Sequence, residues 1–263
     1  MIIIRICILL IAIVSTVPSI AQEVLNRDDL LEIFADHSVA GTFAFMDVET
    51  GQISVVGSNR VQQRYFPAST FKIFNSLIAL ETKVISDENE IVPYGGRLQP
   101  IKAWEKDMSI RQAIQVSNVP VFQEIARRVG LERYEEKLAS YNFGNGLVGS
   151  DVETFWLKGP LKISAIEYVD VLATLAKQKL PAEKSNQRIV GEIIRLEVRD
   201  DATLFGKTGW ANSPSPDIGW FVGWVEQGGK FSTFALNIDM QNRADPTKRT
   251  EIAKALLSAL GAY

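Results

Sequence analysis

Histidine and cysteine are almost absent. The 263 residues contain one of each, His37 and Cys7, and each scarcity removes a class of chemistry. Cys7 lies inside an apolar N-terminal run, so the chain beyond it has no disulfide, no thiol nucleophile and no cysteine metal site. A single imidazole excludes a His-Glu-x-x-His helix. A Ser-His-Asp triad would have to use His37, which sits on an N-terminal helical pattern and reads as a surface residue. Gly-x-Ser-x-Gly and the Walker loop are missing as well. Charge of one sign is also in short supply. With 28 Lys and Arg against 31 Asp and Glu, the net charge is -3. No basic block offers a phosphate-tracking surface, so nucleic acid is not an expected partner. There is no repeat, no low-complexity tract and no flexible linker.

What is present suits a folded enzyme-sized domain. Hydrophobic residues make up 46% of the chain, enough for a full core. Arg5, the apolar stretch Ile6 to Val14 and the small-x-small sequence Ser19-Ile20-Ala21 read as a signal peptide over residues 1–21, cut after Ala21. The stretch is short for a spanning helix, so no stable membrane anchor is expected. Residues 22–263 read as a single domain.

Within it, Asp28 to Asp36 reads as a short amphipathic helix. Thr42 to Val48 and Ile53 to Val56 read as a hairpin turned at Glu49-Thr50-Gly51-Gln52. Helical patterns run from Ser69 onwards and from Ser109 to Ala139, with breaks expected at Pro120 and Gly130. Asn89 to Pro100 and Phe143 to Gly149 read as loops. Ser164 and Glu167 form a capping-box pattern that opens a helix to Lys177. Leu204 to Lys207, Ile218 to Val225 and Phe231 to Ile238 read as strands, with Gly228-Gly229 turning the last pair. Thr247 to Leu260 closes the chain as a helix stopped by Gly261. Strands at both ends and helices between them predict an α+β fold. One antiparallel sheet would be built from both chain ends and flanked by terminal helices, with a mostly helical lobe inserted and the active site between the lobes.

Chemistry concentrates at Pro67-Ala68-Ser69-Thr70-Phe71-Lys72. On a helix, Ser69 and Lys72 share a face, which puts a hydroxyl beside an amine at a helix N-terminus. A hydroxyl needs a base before it can attack. Alone, Ser-x-x-Lys is common, and Ser69 or Thr70 as a cap with Lys72 solvated reads as well. Two further clusters change the balance: Ser117-Asn118-Val119, before Pro120, and Lys207-Thr208-Gly209, after a strand-like run. In this order the three motifs resemble those of the penicillin-recognising serine acyltransferases.

Phe143-Gly144-Asn145, Phe155-Trp156-Leu157, Gly159-Pro160-Leu161, Ala113-Ile114-Gln115-Val116-Ser117 and Val222-Gly223-Trp224-Val225-Glu226 narrow the resemblance. Over essentially all of residues 22–263 the chain resembles the class D β-lactamases, the oxacillinases, and is expected to share their β-lactamase/transpeptidase-like fold. Phe143 stands where tyrosine is usual and Asn118 where a small apolar residue is frequent. Both bear on substrate preference, not on reaction type.

The resemblance implies a role for each matching residue. Ser69 would be acylated by the β-lactam, with the backbone N–H groups of Ser69 and Trp210 holding the oxyanion. Lys72, carbamylated by CO2, would be the base for acylation and deacylation. Trp156 would donate its indole N–H to the carbamate, under an apolar roof of Val119 and Leu157. Ser117 would relay a proton to the leaving nitrogen and Lys207 would polarise Ser117. Thr208, Gly209 and Arg249 would line the substrate carboxylate site, though Arg249 also reads as a solvated helix charge. Trp104 reads equally as cleft edge or core. No metal and no cofactor beyond CO2 or bicarbonate is implied, and the partners are small-molecule β-lactams. A monomer or homodimer in the periplasm is expected. Two relatives share these motifs and compete: a penicillin-sensor domain that acylates without turnover, and a DD-peptidase.

Overall fold

The computed structural model describes residues 24–240 and 246–263. The expected signal peptide and Cys7 lie outside the described residues. Seven strands form one sheet: β1 (Val24–Asn26), β2 (Gly41–Asp47), β3 (Ile53–Val56), β4 (Arg195–Arg199), β5 (Ala202–Ala211), β6 (Asp217–Gln227) and β7 (Lys230–Met240). Their order is β1-β3-β2-β7-β6-β5-β4. Every pairing is antiparallel except β1 with β3. The β2–β7 pairing joins the two chain ends, with Phe43 opposite Leu236 and Phe45 opposite Phe234. Gly228 and Gly229 both take positive φ, +56° and +77°, and close the two-residue β6–β7 hairpin.

Both faces of the sheet are covered, which is why β6 reads as a nearly unbroken apolar run. On one face, α1 (Glu32–Asp36) and the terminal helix α8 (Lys248–Ala259) pack Phe34, Ile252 and Leu256 against Phe43, Phe221 and Leu236. On the other lie α6 (Ala165–Ala176) and the helical lobe. The lobe comprises α2 (Lys72–Glu81), α3 (Ile110–Gln115), α4 (Val119–Val129), α5 (Leu131–Ser140) and α7 (Lys184–Ile193). α2 is its axis, buried at every residue from Lys72 to Leu80. The Ser164–Glu167 capping box opens α6 as expected. Among the described residues no helix is long and apolar enough to cross a membrane.

Four local expectations change. The segment 28–36 is a 3-10 turn, Asp28–Leu30, followed by α1, not one helix. Pro120 does not break a helix. It sits in the first turn of α4, where its missing N–H has no partner to lose, and the break falls at Val116-Ser117-Asn118. The strand expected at Leu204 to Lys207 is longer, running as β5 from Ala202 to Ala211. Finally, α7 and β4 carried no strong sequence pattern. α7 is tied to the preceding segment by Gln187, which exchanges hydrogen bonds of 3.1 Å with Leu180. β4 has three charged residues, Arg195, Glu197 and Arg199, on an edge strand.

Candidate active site

Ser69 lies on a 3-10 turn, Ala68–Phe71, that runs directly into α2. Three contacts fix this turn. Ala68, held at φ +48°, donates its N–H to Trp156 O at 2.9 Å. The Thr70 hydroxyl donates to Pro67 O at 2.5 Å, and the Tyr168 hydroxyl, 2.6 Å away, donates to it in return. The Trp220 indole donates to Phe66 O at 3.0 Å. Lys72 is the first residue of α2, and its Nζ donates to Ser69 Oγ at 2.9 Å. The i, i+3 geometry read from the sequence is therefore present.

Lys72 is fully buried. Its Nζ lies 5.3 Å from the centroid of the Phe122 ring, and its own α2 contributes no counter-ion. Desolvation drives its pKa well below the ordinary lysine value, and the nearby charge of Lys207 adds to the shift. Trp156 is also fully buried, packed on Phe71 at 5.8 Å and Phe155 at 5.0 Å. Among the described residues its Nε1 has no hydrogen-bond partner, which leaves a buried donor open to an acceptor.

β5 forms the second wall. A Cβ on Gly209 would lie 3.0 Å from Pro67 O and 3.2 Å from Thr70 N, so glycine is what allows the strand to approach the nucleophile turn. Gly206 N–H bonds Ile194 O on the edge away from β6. Strand alternation then turns the Trp210 N–H, four residues on, to that same edge. Lys207 Nζ donates to Thr208 O at 2.9 Å and makes no hydrogen bond with Ser117. Burial, with repulsion from Arg249, lowers the Lys207 pKa to about 7. Arg249 is buried, donates to Gly209 O at 2.7 Å and Pro246 O at 3.0 Å, and lies 5.4 Å over the Trp210 ring. Burial lowers its pKa to about 10, so it stays charged at neutral pH. It is not a solvated helix charge.

The third wall is the α3–α4 turn. Ser117 takes φ +55° there. Asn118 is buried, caps α4 by accepting from Val121 N at 3.1 Å, and donates to Trp104 O at 3.2 Å. Trp104 returns a bond from its indole to Val116 O at 3.0 Å. Asn118 is thus a docking residue beneath the cleft, and Trp104 is a cleft edge, not core.

These walls enclose a cavity of about 980 Å³ lined by Ser69, Trp104, Ser117, Val119, Leu157, Thr208, Gly209, Trp210 and Arg249. Lys72, Trp156 and Lys207 lie behind that lining. Sequence reasoning missed Pro100, Ile101, Lys158, Asn212 and Ser213, which also line it, and Phe122 beside Lys72. Phe122 had a signal: it lies one helical turn beyond Val119, on the same face. The others are loop residues with no periodicity to reveal them. No lining residue carries a carboxylate. Among the described residues no group of three or more His, Cys, Asp or Glu side chains is placed to hold a metal ion.

Comparison with known proteins agrees with this geometry. Residues 41–258 match the family described as penicillin binding protein transpeptidase domain. The chain is 40% identical to β-lactamase OXA-5 of Pseudomonas aeruginosa over 87% of its length and 86% of that protein's. It is 34% identical to β-lactamase OXA-48 of Klebsiella pneumoniae over 94% of each. The crystal structure of FUS-1 (OXA-85), a class D β-lactamase from Fusobacterium nucleatum subsp. polymorphum, superimposes with a TM-score of 0.86. The two chains share 40% identity, covering 90% of this chain and 99% of that one.

Burial of Lys72 predicts a stability cost. Its folded pKa lies below the unfolded value of 10.5, so between the two the unfolded chain binds the extra proton. Stability contributed by this group therefore rises with pH across that window. Lys72→Met, which removes the amine, should raise Tm near pH 6 in CO2-free buffer by at least ~2–4 °C, the shift that about 1 kcal/mol produces in a domain of this size. The gain should shrink as pH rises. Thermal melts across pH check this, and a Tm that falls at every pH would refute it.

Proposed function

The chain belongs to the class D β-lactamases, and on that premise we propose that it hydrolyses the β-lactam amide of penicillin-type antibiotics through an acyl-enzyme on Ser69 and so confers resistance to them. The observation that carries this reading is the fully buried Lys72 amine, hydrogen-bonded to Ser69 Oγ at 2.9 Å. Ser69 Oγ attacks the lactam carbonyl, and its proton leaves along that hydrogen bond. The developing oxyanion sits between the N–H groups of Ser69 and Trp210. As the C–N bond breaks, Ser117 delivers a proton to the ring nitrogen, with Lys207 supplying positive charge behind it. Thr208 and Arg249 hold the ring carboxylate. Two sides of the guanidinium already serve Gly209 O and Pro246 O, so its remaining N–H groups make that contact.

Deacylation needs a base for water, and no carboxylate lines the cavity. Carbon dioxide on the Lys72 amine would supply an anionic base for both half-reactions. The residues present fit that group: an amine whose proton is held weakly, the apolar Phe122 ring beside it, and an indole N–H on Trp156 with no partner among the described residues. Residues 1–21 are, in the same reading, a cleaved export signal that delivers the enzyme to the periplasm. N-terminal sequencing of the exported protein should begin at Gln22, and an intact Met1 would refute it.

The test of the reaction is turnover. A chromogenic cephalosporin should be hydrolysed far beyond one equivalent, and a slow substrate should leave one adduct that maps to Ser69. Colour that stops at one equivalent points instead to a penicillin sensor or a DD-peptidase. Full activity in Ser69→Ala would remove the nucleophile assignment.

The base is tested separately. Protonating Lys72 competes with CO2, so activity should fall as pH drops towards its depressed pKa, and bicarbonate should restore it. ¹³C-bicarbonate should give a carbamate resonance by NMR. Loss of one charge-assisted donor in Trp156→Phe should raise the bicarbonate needed for half-maximal activity about 10- to 100-fold. Absence of the resonance near neutral pH, with activity indifferent to bicarbonate, would mean that Lys72 acts as a plain amine.

A further inference from the structure

Only two charged side chains line the cavity, Arg249 and Lys158, and their situations differ. Arg249 is buried and tied to two backbone carbonyls. Lys158 is exposed, and among the described residues its ammonium has no hydrogen bond or ion pair. The acids near it in sequence are taken. Asp151 feels the Lys158 charge through space, but its carboxylate accepts from the Thr154 hydroxyl at 2.5 Å and from Glu153 N at 2.9 Å. Glu153 pairs with Arg127 at 2.9 Å.

Although its side chain is free, the Lys158 backbone is fixed. The N–H groups of Leu157 and Lys158 both donate to Thr154 O at 2.8 Å. On the far side, Gly159 takes φ +96° and packs against Phe66, where a Cβ would come within 2.6 Å of Cε1. Two residues upstream, Trp156 O accepts from Ala68, the residue before Ser69. Two residues span at most about 7 Å, so the Lys158 stem starts from a fixed turn that abuts the nucleophile, and its four-carbon chain is long enough to bring a cation to the cleft it lines.

A β-lactam carbonyl at Ser69 has two arms. The ring nitrogen leads to the ring carboxylate, which the Thr208–Arg249 wall holds. The other arm is the carbon that bears the acyl side chain, and it leaves away from that wall. On that side it would meet Leu157 and Lys158, which line the cavity together with exposed Ile101 and half-buried Trp104. We infer that Lys158 is a specificity-determining residue that favours β-lactams whose acyl side chain carries a second carboxylate, while the apolar rim receives the rest of that side chain. The inference rests on the hydrolase reading above and deepens it to a substrate class.

The experiment compares benzylpenicillin with its α-carboxybenzyl counterpart, which differs by one carboxylate, in the full-length exported protein and in Lys158→Gln, Lys158→Glu and Lys158→Arg. The quantity read is the ratio of kcat/KM for the dicarboxylate to that for the monocarboxylate. An exposed ion pair predicts that Lys158→Gln lowers this ratio about two- to fivefold, mainly through KM. Lys158→Glu should lower it further and Lys158→Arg should keep it. Raising NaCl to about 0.5 M should compress the difference between the parent and Lys158→Gln. A ratio that does not change in Lys158→Gln and Lys158→Glu overturns the inference. So does an equal loss for both penicillins, which would place Lys158 on the ring carboxylate or in the turn's own structure. The hydrolase reading fails separately, and takes this inference with it, only if the parent enzyme hydrolyses neither penicillin.

Discussion

An amine sealed away from water is the constraint on which this site depends. Desolvation penalises the ammonium form of Lys72 and drives its pKa well below the ordinary lysine value, favouring the unprotonated amine. No local sequence feature of α2 does this. It follows from placing the first turn of α2 inside the core, under Phe122 and beside the Phe71–Trp156 stack. The helix dipole would reinforce the effect, since a cation at a helix N-terminus is disfavoured. Stability is given up for reactivity here: a well-packed apolar side chain would sit more comfortably at this position.

Holding the hydroxyl in register with that amine falls to three separate elements. The Trp156 carbonyl fixes Ala68, Tyr168 fixes Thr70, and Trp220 fixes Phe66. Gly209 lets β5 close against the same turn. Two residues at the site, Ala68 and Ser117, have positive φ without being glycine, conformations that persist only where surrounding contacts over-determine them. Ala68 has its N–H bonded to Trp156 O. Ser117 is followed by Asn118, whose N–H bonds Ala113 O and whose side chain caps α4.

The architecture and the motif residues were legible because both leave local marks. Alternating apolar segments at the two chain ends, Gly228-Gly229 and the Ser164–Glu167 box each report short-range geometry, and each element is present. Pro120 was misread because a proline marks both a break and a first turn, and only the position of the Asn118 cap separates the two. β4 was invisible because edge-strand residues need not alternate when one side of the ladder is open. Lys158 was invisible for a different reason. An exposed loop lysine has no pattern, and its place in the cavity lining emerges only from the turn that packs Gly159 on Phe66.

The electrostatics of the cleft follow from the same economy of charge that the sequence shows. Lys72, Lys207 and Arg249 are buried near one another with no carboxylate in the cavity lining. Burial depresses both lysines most, with Arg249 adding to the shift of Lys207 and Lys207 to that of Lys72. An anion opposite Arg249 acts on Lys207 in the reverse sense, favouring its charged form, and Coulomb coupling at these separations is strong where water is excluded. Burial, with repulsion from Arg249, lowers the Lys207 pKa to about 7, so a carboxylate placed opposite Arg249 would favour its charged form. Charge behind Ser117 would then be greatest when a substrate carboxylate is in place, the moment at which a proton must reach the leaving nitrogen.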